Sequence, residues 1–149
     1  MASPWVITGP DGKCNTVSGR AMQAALLHDI GDGLAPQNHD RMAAEIIRPF
    51  VREEVSWVIE HHGTFQMIYY AHHLDGWNPN ERDKYRNNPY YQTAVDFCEL
   101  WDQNCFDPSY DSQNLDFFAP KVEAIFQRKA YTEDVIKAGQ TFGLGSSGE

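Results

Sequence analysis

Apolar residues recur at intervals of three and four along most of the chain, which is the spacing of one face of an α-helix. This pattern predicts helical segments over residues 17–30, 39–48, 52–62, 64–74, 90–103 and 115–127, with a short charged helical turn at 81–86. Gly31 and Gly63 are expected to end the first and third segments, and Pro49 interrupts the second. No strand-like alternation persists and no internal repeat is visible, so the sequence predicts an all-α fold.

The predicted helices fit one compact helical bundle over residues 17–129, because a chain of 149 residues suits a single hydrophobic core. Residues 1–16 contain two Pro and two Gly without a clear period, so we expect an irregular lead-in there. Residues 130–149 are expected to form a C-terminal extension, whose Gly-Leu-Gly-Ser-Ser-Gly run is typical of a flexible tail.

Composition and charge narrow the class of function. The formal net charge is −9, which argues against binding to nucleic acid or to an acidic membrane, since both depend on cationic patches. No stretch approaches the roughly 18 apolar residues of a membrane span, and the first residues lack the pattern of a signal peptide. The three cysteines form no CxxC motif, so a reducing compartment, the cytoplasm, is the simplest prediction. A small-molecule substrate, even an anionic one, is compatible with this charge because a bound metal ion makes a site locally positive.

The most informative feature is the pair His28-Asp29, which directly follows an apolar helical stripe. Burying two such side chains costs several kcal/mol unless something pairs with them, and a metal ion is one effective partner. His39, His62 and Asp102 fall on other predicted helices, the last two on otherwise apolar faces. Imidazole nitrogens and carboxylate oxygens are the donors that borderline and hard divalent metals prefer, so these residues are candidate metal ligands. The structural alternatives are a helix-end pair, a satisfied core histidine and a helix cap.

The same residues, with their neighbours, resemble the HD-domain metalloprotein superfamily over about residues 21–129. The matching strings are Ala25-Leu26-Leu27-His28-Asp29-Ile30-Gly31, His39, Glu60-His61-His62-Gly63 and Leu100-Trp101-Asp102. Further strings resemble small HD proteins associated with phosphonate degradation, namely His72-His73-Leu74, Arg82-Asp83, Phe97-Cys98 and Phe106-Asp107-Pro108. Some of those relatives are mixed-valence di-iron oxygenases, whereas other HD proteins are metal-dependent phosphohydrolases.

The resemblance implies that His28, His39, His62 and Asp102 are metal ligands and that Asp29 is a carboxylate bridging two metals. Only a carboxylate offers two hard oxygens at the spacing of two cations about 3.5–4 Å apart. This chain departs from the family in one ligand, because no His precedes His28 and the family's first ligand is a His on an earlier helix. We therefore expect that first helix to be missing, and the metal position left with His28, Asp29 and Asp102 to bind weakly.

Three functions are compatible with these residues. The first is a non-haem oxygenase with one or two irons that acts on a small polar substrate, with phosphonates as one candidate class. The second is a metal-dependent phosphohydrolase with Mn, Mg or Zn, in which Glu60 or His61 would be the general base. The third is a non-catalytic or metal-impaired HD-fold protein, for which an exposed apolar patch and a homodimer are expected.

Candidate substrate-binding residues lie between the predicted ligands along the chain. Gln66 stands where the phosphonate oxygenases carry a Lys, which argues against recognition of phosphonate at that position. His72 and His73 sit among aromatic residues, so they would line either a pocket or the core. Arg82 and Arg86 are four residues apart on the predicted charged turn and are the best local candidates for binding an anion, although such a pair is ordinarily solvated.

Overall fold

A computed structural model describes residues 6–8, 14–17, 19–109 and 113–131 of the chain. Its α-helices are α1 (Gly19–Leu27), α2 (His39–Ile47), α3 (Glu53–Tyr70), α4 (Tyr91–Phe97) and α5 (Leu115–Phe126). Two short strands, β1 (Val6–Thr8) and β2 (Cys14–Val17), precede α1. The shorter turns are four of the 3-10 type, Arg48–Phe50, Ala71–His73, Glu81–Tyr85 and Gln103–Phe106, and one π-helical turn, Cys98–Asp102, called the π-turn below. Helices dominate the described residues, so the predicted all-α fold is confirmed.

Helix α3 is the centre of the fold and packs against α1, α2 and α4. Its buried apolar residues meet small residues of α2 and the aromatic end of α4, which produces a single core. The buried apolar side chains of these helices are Ala24 and Leu27, Ala43, Ala44 and Ile47, Val55, Trp57, Val58, Ile59 and Phe65, and Ala94 and Phe97. Ile125 of α5 is buried in the same core, and the half-buried Val122 of this helix packs against it. No described helix is both long and apolar enough to span a membrane.

The predicted break at Gly63 is wrong, because α3 continues through this residue to Tyr70. Gly63 is a point of close approach between two helices. A Cβ atom at this position would lie 3.1 Å from Oδ2 of Asp40 in α2, the far end of a flexible side chain that lies against this face of α3. The two predicted segments 52–62 and 64–74 are therefore one long helix, and His62 and Gln66 lie one turn apart on it.

The predicted helix over 90–103 is shorter in the structure. Helix α4 ends at Phe97 and the chain continues as the π-turn and a 3-10 turn, while the helix predicted over 115–127 is found as α5. The side chain of Asn114 caps α5 by accepting a hydrogen bond from the backbone N–H of Phe117. A π-turn has one residue more per hydrogen-bonded turn than an α-helix, so it rotates the side chains that follow it. Asp102, its last residue, is turned into the interior.

Two short strands lie within and next to residues 1–16, for which an irregular lead-in is expected. Strands β1 and β2 pair antiparallel, with Val6 opposite Val17 and Ile7 opposite Thr16, and the register is irregular between Ile7 and Thr8. Strands of three and four residues are too short to produce a readable alternation in the sequence. Residues 132–149 of the expected C-terminal extension, including its Gly/Ser tail, lie outside the described residues.

Candidate metal centre

The structure brings the five predicted ligands together from four parts of the fold. His28 and Asp29 follow the end of α1, His39 is the first residue of α2, His62 lies in the middle of α3, and Asp102 ends the π-turn. His62 is fully buried and Asp102 is 3% exposed. His28, Asp29 and His62 each place one donor atom within 4.8 Å of the other two, which is close enough for one metal ion.

The carboxylate of Asp29 divides this cluster into two halves. Its Oδ1 lies 3.2 Å from Nε2 of His39 and 3.4 Å from Nε2 of His62. Its Oδ2 lies 3.0 Å from Nε2 of His28, which is itself 3.5 Å from Oδ1 of Asp102. We call His39, His62 and Asp29 Oδ1 the two-histidine half, and His28, Asp102 and Asp29 Oδ2 the one-histidine half. A carboxylate whose two oxygens face different histidine sets has the geometry of a bridging ligand.

The three histidine rings are oriented as metal-binding imidazoles are. In each ring Nδ1 lies within hydrogen-bond distance of a backbone carbonyl oxygen three residues earlier, at 3.0 Å for His28, 3.0 Å for His39 and 2.6 Å for His62. A proton on Nδ1 satisfies that carbonyl and leaves the lone pair of Nε2 directed into the cluster. The Nε2 atoms of His39 and His62 are 3.1 Å apart, and two lone pairs at this distance repel unless a cation or a proton lies between them.

The fit of a cation is supported by a buried atom that lacks a hydrogen bond. Nε2 of His28 is buried and makes no hydrogen bond within the described residues, although Oδ2 of Asp29 is only 3.0 Å away. Burial disfavours a charged imidazole, but Asp102 and Asp29 outweigh burial and raise the pKa of His28 to about 10. Burial also disfavours the carboxylate of Asp29, yet His28 and His62 hold the pKa of Asp29 far below its usual range. Both shifts favour positive charge between the two carboxylates, which a proton on His28 or a bound metal ion would supply.

Gln66, predicted to contact substrate, lies beside a ligand. Its Nε2 donates a hydrogen bond to Oδ2 of Asp102, the oxygen that does not face His28. Gln66 is four residues after His62 on α3, which places both side chains on the same face of the helix. The spacing of four was visible in the sequence, but the contact with Asp102 was not, because it joins residues from different elements.

The two candidate general bases lie apart from the cluster. Oε2 of Glu60 accepts a hydrogen bond from Nη2 of the buried Arg48 at 3.0 Å. The ring of His61 stacks on Trp57 at 4.2 Å, and its Nδ1 lies 2.8 Å from the carbonyl oxygen of Trp57. Within the described residues neither side chain contacts the five predicted ligands. Sequence reasoning missed Arg48, since nothing in its local pattern signals a buried cation.

The other predicted substrate-binding residues are not in contact with the cluster in the part of the chain that is described. His72 and His73 are exposed on the 3-10 turn after α3, and the centroids of their rings lie 3.8 Å apart. Arg86 is exposed and pairs with Asp83, at 3.1 Å between Nη2 and Oδ1. Arg82 is half-buried, and its positive charge acts on Tyr69 and Cys98. Their roles in binding substrate stay predictions.

The chain matches the model of a known protein family. The family model of the HD domain matches residues 15–97, which is more than half of the chain. Four of the five predicted ligands fall inside the matched range, and Asp102 lies beyond it. No curated protein and no solved structure matches the chain.

Proposed function

This chain belongs to the HD domain family, and on that premise we propose that it is an iron-dependent oxygenase acting on a small polar substrate. The observation that carries the proposal is the two-histidine half. His39, His62 and Asp29 Oδ1 offer two imidazole nitrogens and one carboxylate oxygen around one point. Such a donor set, with further positions open to substrate and oxygen, is typical of non-haem Fe(II) oxygenases.

Each ligand has a definite part in this proposal. Iron held by these residues would supply the electrons by which O2 is reduced. His39 and His62 keep their Nε2 lone pairs available because their Nδ1 atoms are tied to backbone carbonyls. Asp29 offers its second oxygen to the one-histidine half. That half has one nitrogen and two carboxylate oxygens, so it would hold iron less firmly than the two-histidine half.

Differences in burial support access to the cluster from one side. The side chain of Asp29 is 55% exposed and that of His39 is 21% exposed, whereas His62 is fully buried. Substrate would therefore approach Asp29 from the turns that join α1 and α2. The buried core residue Phe97 packs against His28 on the inner side, with 5.4 Å between the ring centroids, where it would keep water away.

A second candidate is a metal-dependent phosphohydrolase. The one-histidine half favours it, because carboxylate oxygens are the donors that Mg²⁺ and Mn²⁺ prefer. The positions of the two candidate bases speak against it, since Arg48 holds Glu60 and His61 is stacked on Trp57. Hydrolysis by this chain would then need a base from outside these two residues.

The experiment that separates the candidates uses protein purified without chelator and under argon. Elemental analysis gives the metal and its stoichiometry, and two assays follow on the same sample. One measures O2 uptake with a panel of small phosphonates and hydroxy acids, and the other measures phosphate release from nucleotides and simple esters with added Mn²⁺ or Mg²⁺. Bound iron with substrate-dependent O2 uptake supports the oxygenase. Phosphate release without O2 uptake replaces it with the hydrolase, and a folded protein with almost no affinity for metal refutes both.

A further inference from the structure

Asp102 is a buried carboxylate whose two oxygens have different surroundings. Oδ1 lies 3.5 Å from Nε2 of His28 in the one-histidine half, and Oδ2 accepts the hydrogen bond from Nε2 of Gln66. A carboxylate that is 3% exposed needs partners for both oxygens, because burial without them costs several kcal/mol. The amide of Gln66 supplies the partner on the side away from His28.

We infer that Gln66 is a positioning residue that holds Oδ2 of Asp102 and thereby presents Oδ1 alone to a metal ion in the one-histidine half. The inference rests on the proposed metal centre. Without the hydrogen bond from Gln66, the carboxylate of Asp102 is free to rotate about its last bond. It would then offer either oxygen or both, and the geometry of that half would no longer be fixed.

The chemistry of the amide suits this role. An amide N–H donates a hydrogen bond and adds no charge, so the negative charge of Asp102 stays available to a cation. A lysine at the same position would also donate, but it would bring a positive charge next to Asp102, which the neutral amide does not. A glutamate has the same shape as glutamine but no donor when ionised, and it would repel Asp102.

Two further contacts tie α3 to the segment that carries Asp102. Sγ of Cys98, at the start of the π-turn, lies 3.7 Å from the carbonyl oxygen of His62. The hydroxyl of Tyr70 lies 3.1 Å from Nε2 and 3.3 Å from Oε1 of Gln103, the residue after Asp102. The segment that carries Asp102 therefore contacts α3 on both sides of this residue, at Cys98 and at Gln103. What the hydrogen bond from Gln66 restricts is then the rotation of the Asp102 carboxylate.

The test replaces Gln66 and measures metal binding directly. Gln66→Met keeps an unbranched side chain of similar length and removes the donor, and Gln66→Glu keeps the shape and reverses the hydrogen-bonding role. Gln92 provides a matched control, because its Nε2 donates to Oδ1 of Asp96 at 2.8 Å on the exposed face of α4. Gln92→Met and Gln92→Glu thus break the same type of amide–carboxylate bond away from the cluster.

Co²⁺ is the probe, since its visible absorption depends on coordination number and its affinity is obtained by titration. We expect Gln66→Met and Gln66→Glu to lower the affinity for the more weakly bound Co²⁺ ion by about 10- to 100-fold and to change its absorption. The loss of a residue that hydrogen-bonds to a ligand has an effect of this size. The tighter equivalent, in the two-histidine half, is expected to change little, and the Gln92 variants are expected to match the wild type. If the wild type binds one equivalent only and the Gln66 variants leave it unchanged, the one-histidine half holds no metal ion and the inference is overturned.

The outcomes separate this inference from the proposed function. Unchanged Co²⁺ affinity and absorption in both Gln66 variants overturns the positioning role while the metal centre stands. An equal loss at both equivalents, with a lower melting temperature of the metal-free protein, overturns it in favour of a purely structural role. If the wild type binds no Co²⁺, the metal centre fails and the inference fails with it.

Discussion

Asp29 is the residue whose replacement tests the metal centre most directly. Asp29→Asn keeps the shape of the side chain but removes one negative charge and leaves one ligand oxygen in place of two. The oxygens of Asp29 lie between 3.0 and 3.4 Å from the Nε2 atoms of three histidines, so a cation held by those nitrogens lies at a comparable distance from the lost charge. The substitution therefore weakens both halves of the cluster together.

The size of this effect follows from the distances and the exposure of Asp29. A unit charge at that separation, with an effective dielectric constant of about 20, contributes roughly 5 kcal/mol. The side chain is 55% exposed, and halving the value for solvent screening leaves about 2.5 kcal/mol, or roughly 70-fold in the dissociation constant. We expect at least that loss for a divalent ion.

The assay is a calorimetric titration of chelator-stripped protein with Mn²⁺, at fixed pH and ionic strength. Asp32→Asn is the matched control, because Asp32 is an exposed carboxylate of the same turn, 4.0 Å from Nδ1 of His39. We expect Asp32→Asn to bind Mn²⁺ as the wild type does. Wild-type affinity in Asp29→Asn at every equivalent would refute the assignment of Asp29 as a bridging ligand.

Three further predictions concern the fold around the centre. Burial raises the pKa of the Cys98 thiol well above its usual value, so we expect iodoacetamide at neutral pH to modify Cys98 only after unfolding, as read by peptide mass mapping. Arg48 is buried and hydrogen-bonded to two glutamates, so we expect Arg48→Ala to lower the free energy of unfolding by about 2–3 kcal/mol. Arg86→Ala, which removes an exposed ion pair, should lower it by less than about 1 kcal/mol. Equal losses of the two variants in urea titrations would contradict this difference. Gly63→Ala places a Cβ 3.1 Å from the carboxylate of Asp40, which is flexible and can shift. The gain in helix propensity should therefore raise the free energy of unfolding by up to about 1 kcal/mol. A clear decrease in the free energy of unfolding would show that Asp40 is fixed.

The helical elements were largely predictable because each depends on local periodicity. The apolar spacing placed α2 and α5 within one or two residues of their observed ends. The errors occurred where packing overrides local preference. Gly63 has the local character of a helix end, but its neighbour Asp40 in α2 makes it a contact point within α3. The π-turn is likewise not encoded by any local spacing that we recognised.

The chemical types of the candidate ligands were determined by the sequence alone. Histidine and aspartate on apolar helix faces indicate a metal site, since few other partners satisfy such groups when buried. The tertiary structure decided which of these ligands face one another and so form each half of the cluster. It turns one oxygen of Asp29 to His39 and His62 and the other to His28. It also directs Gln66 to Asp102, because that contact spans two elements and depends on how α3 packs against the π-turn.

The same distinction explains the general-base candidates. Glu60 and His61 are adjacent to His62 in sequence, but neighbours on a helix point about 100° apart around its axis. Glu60 therefore faces Arg48, and His61 faces Trp57, while His62 alone faces the cluster. The sequence determines which side chains are present and which helix face each occupies, but only the packing of helices distant in sequence decides what each face meets.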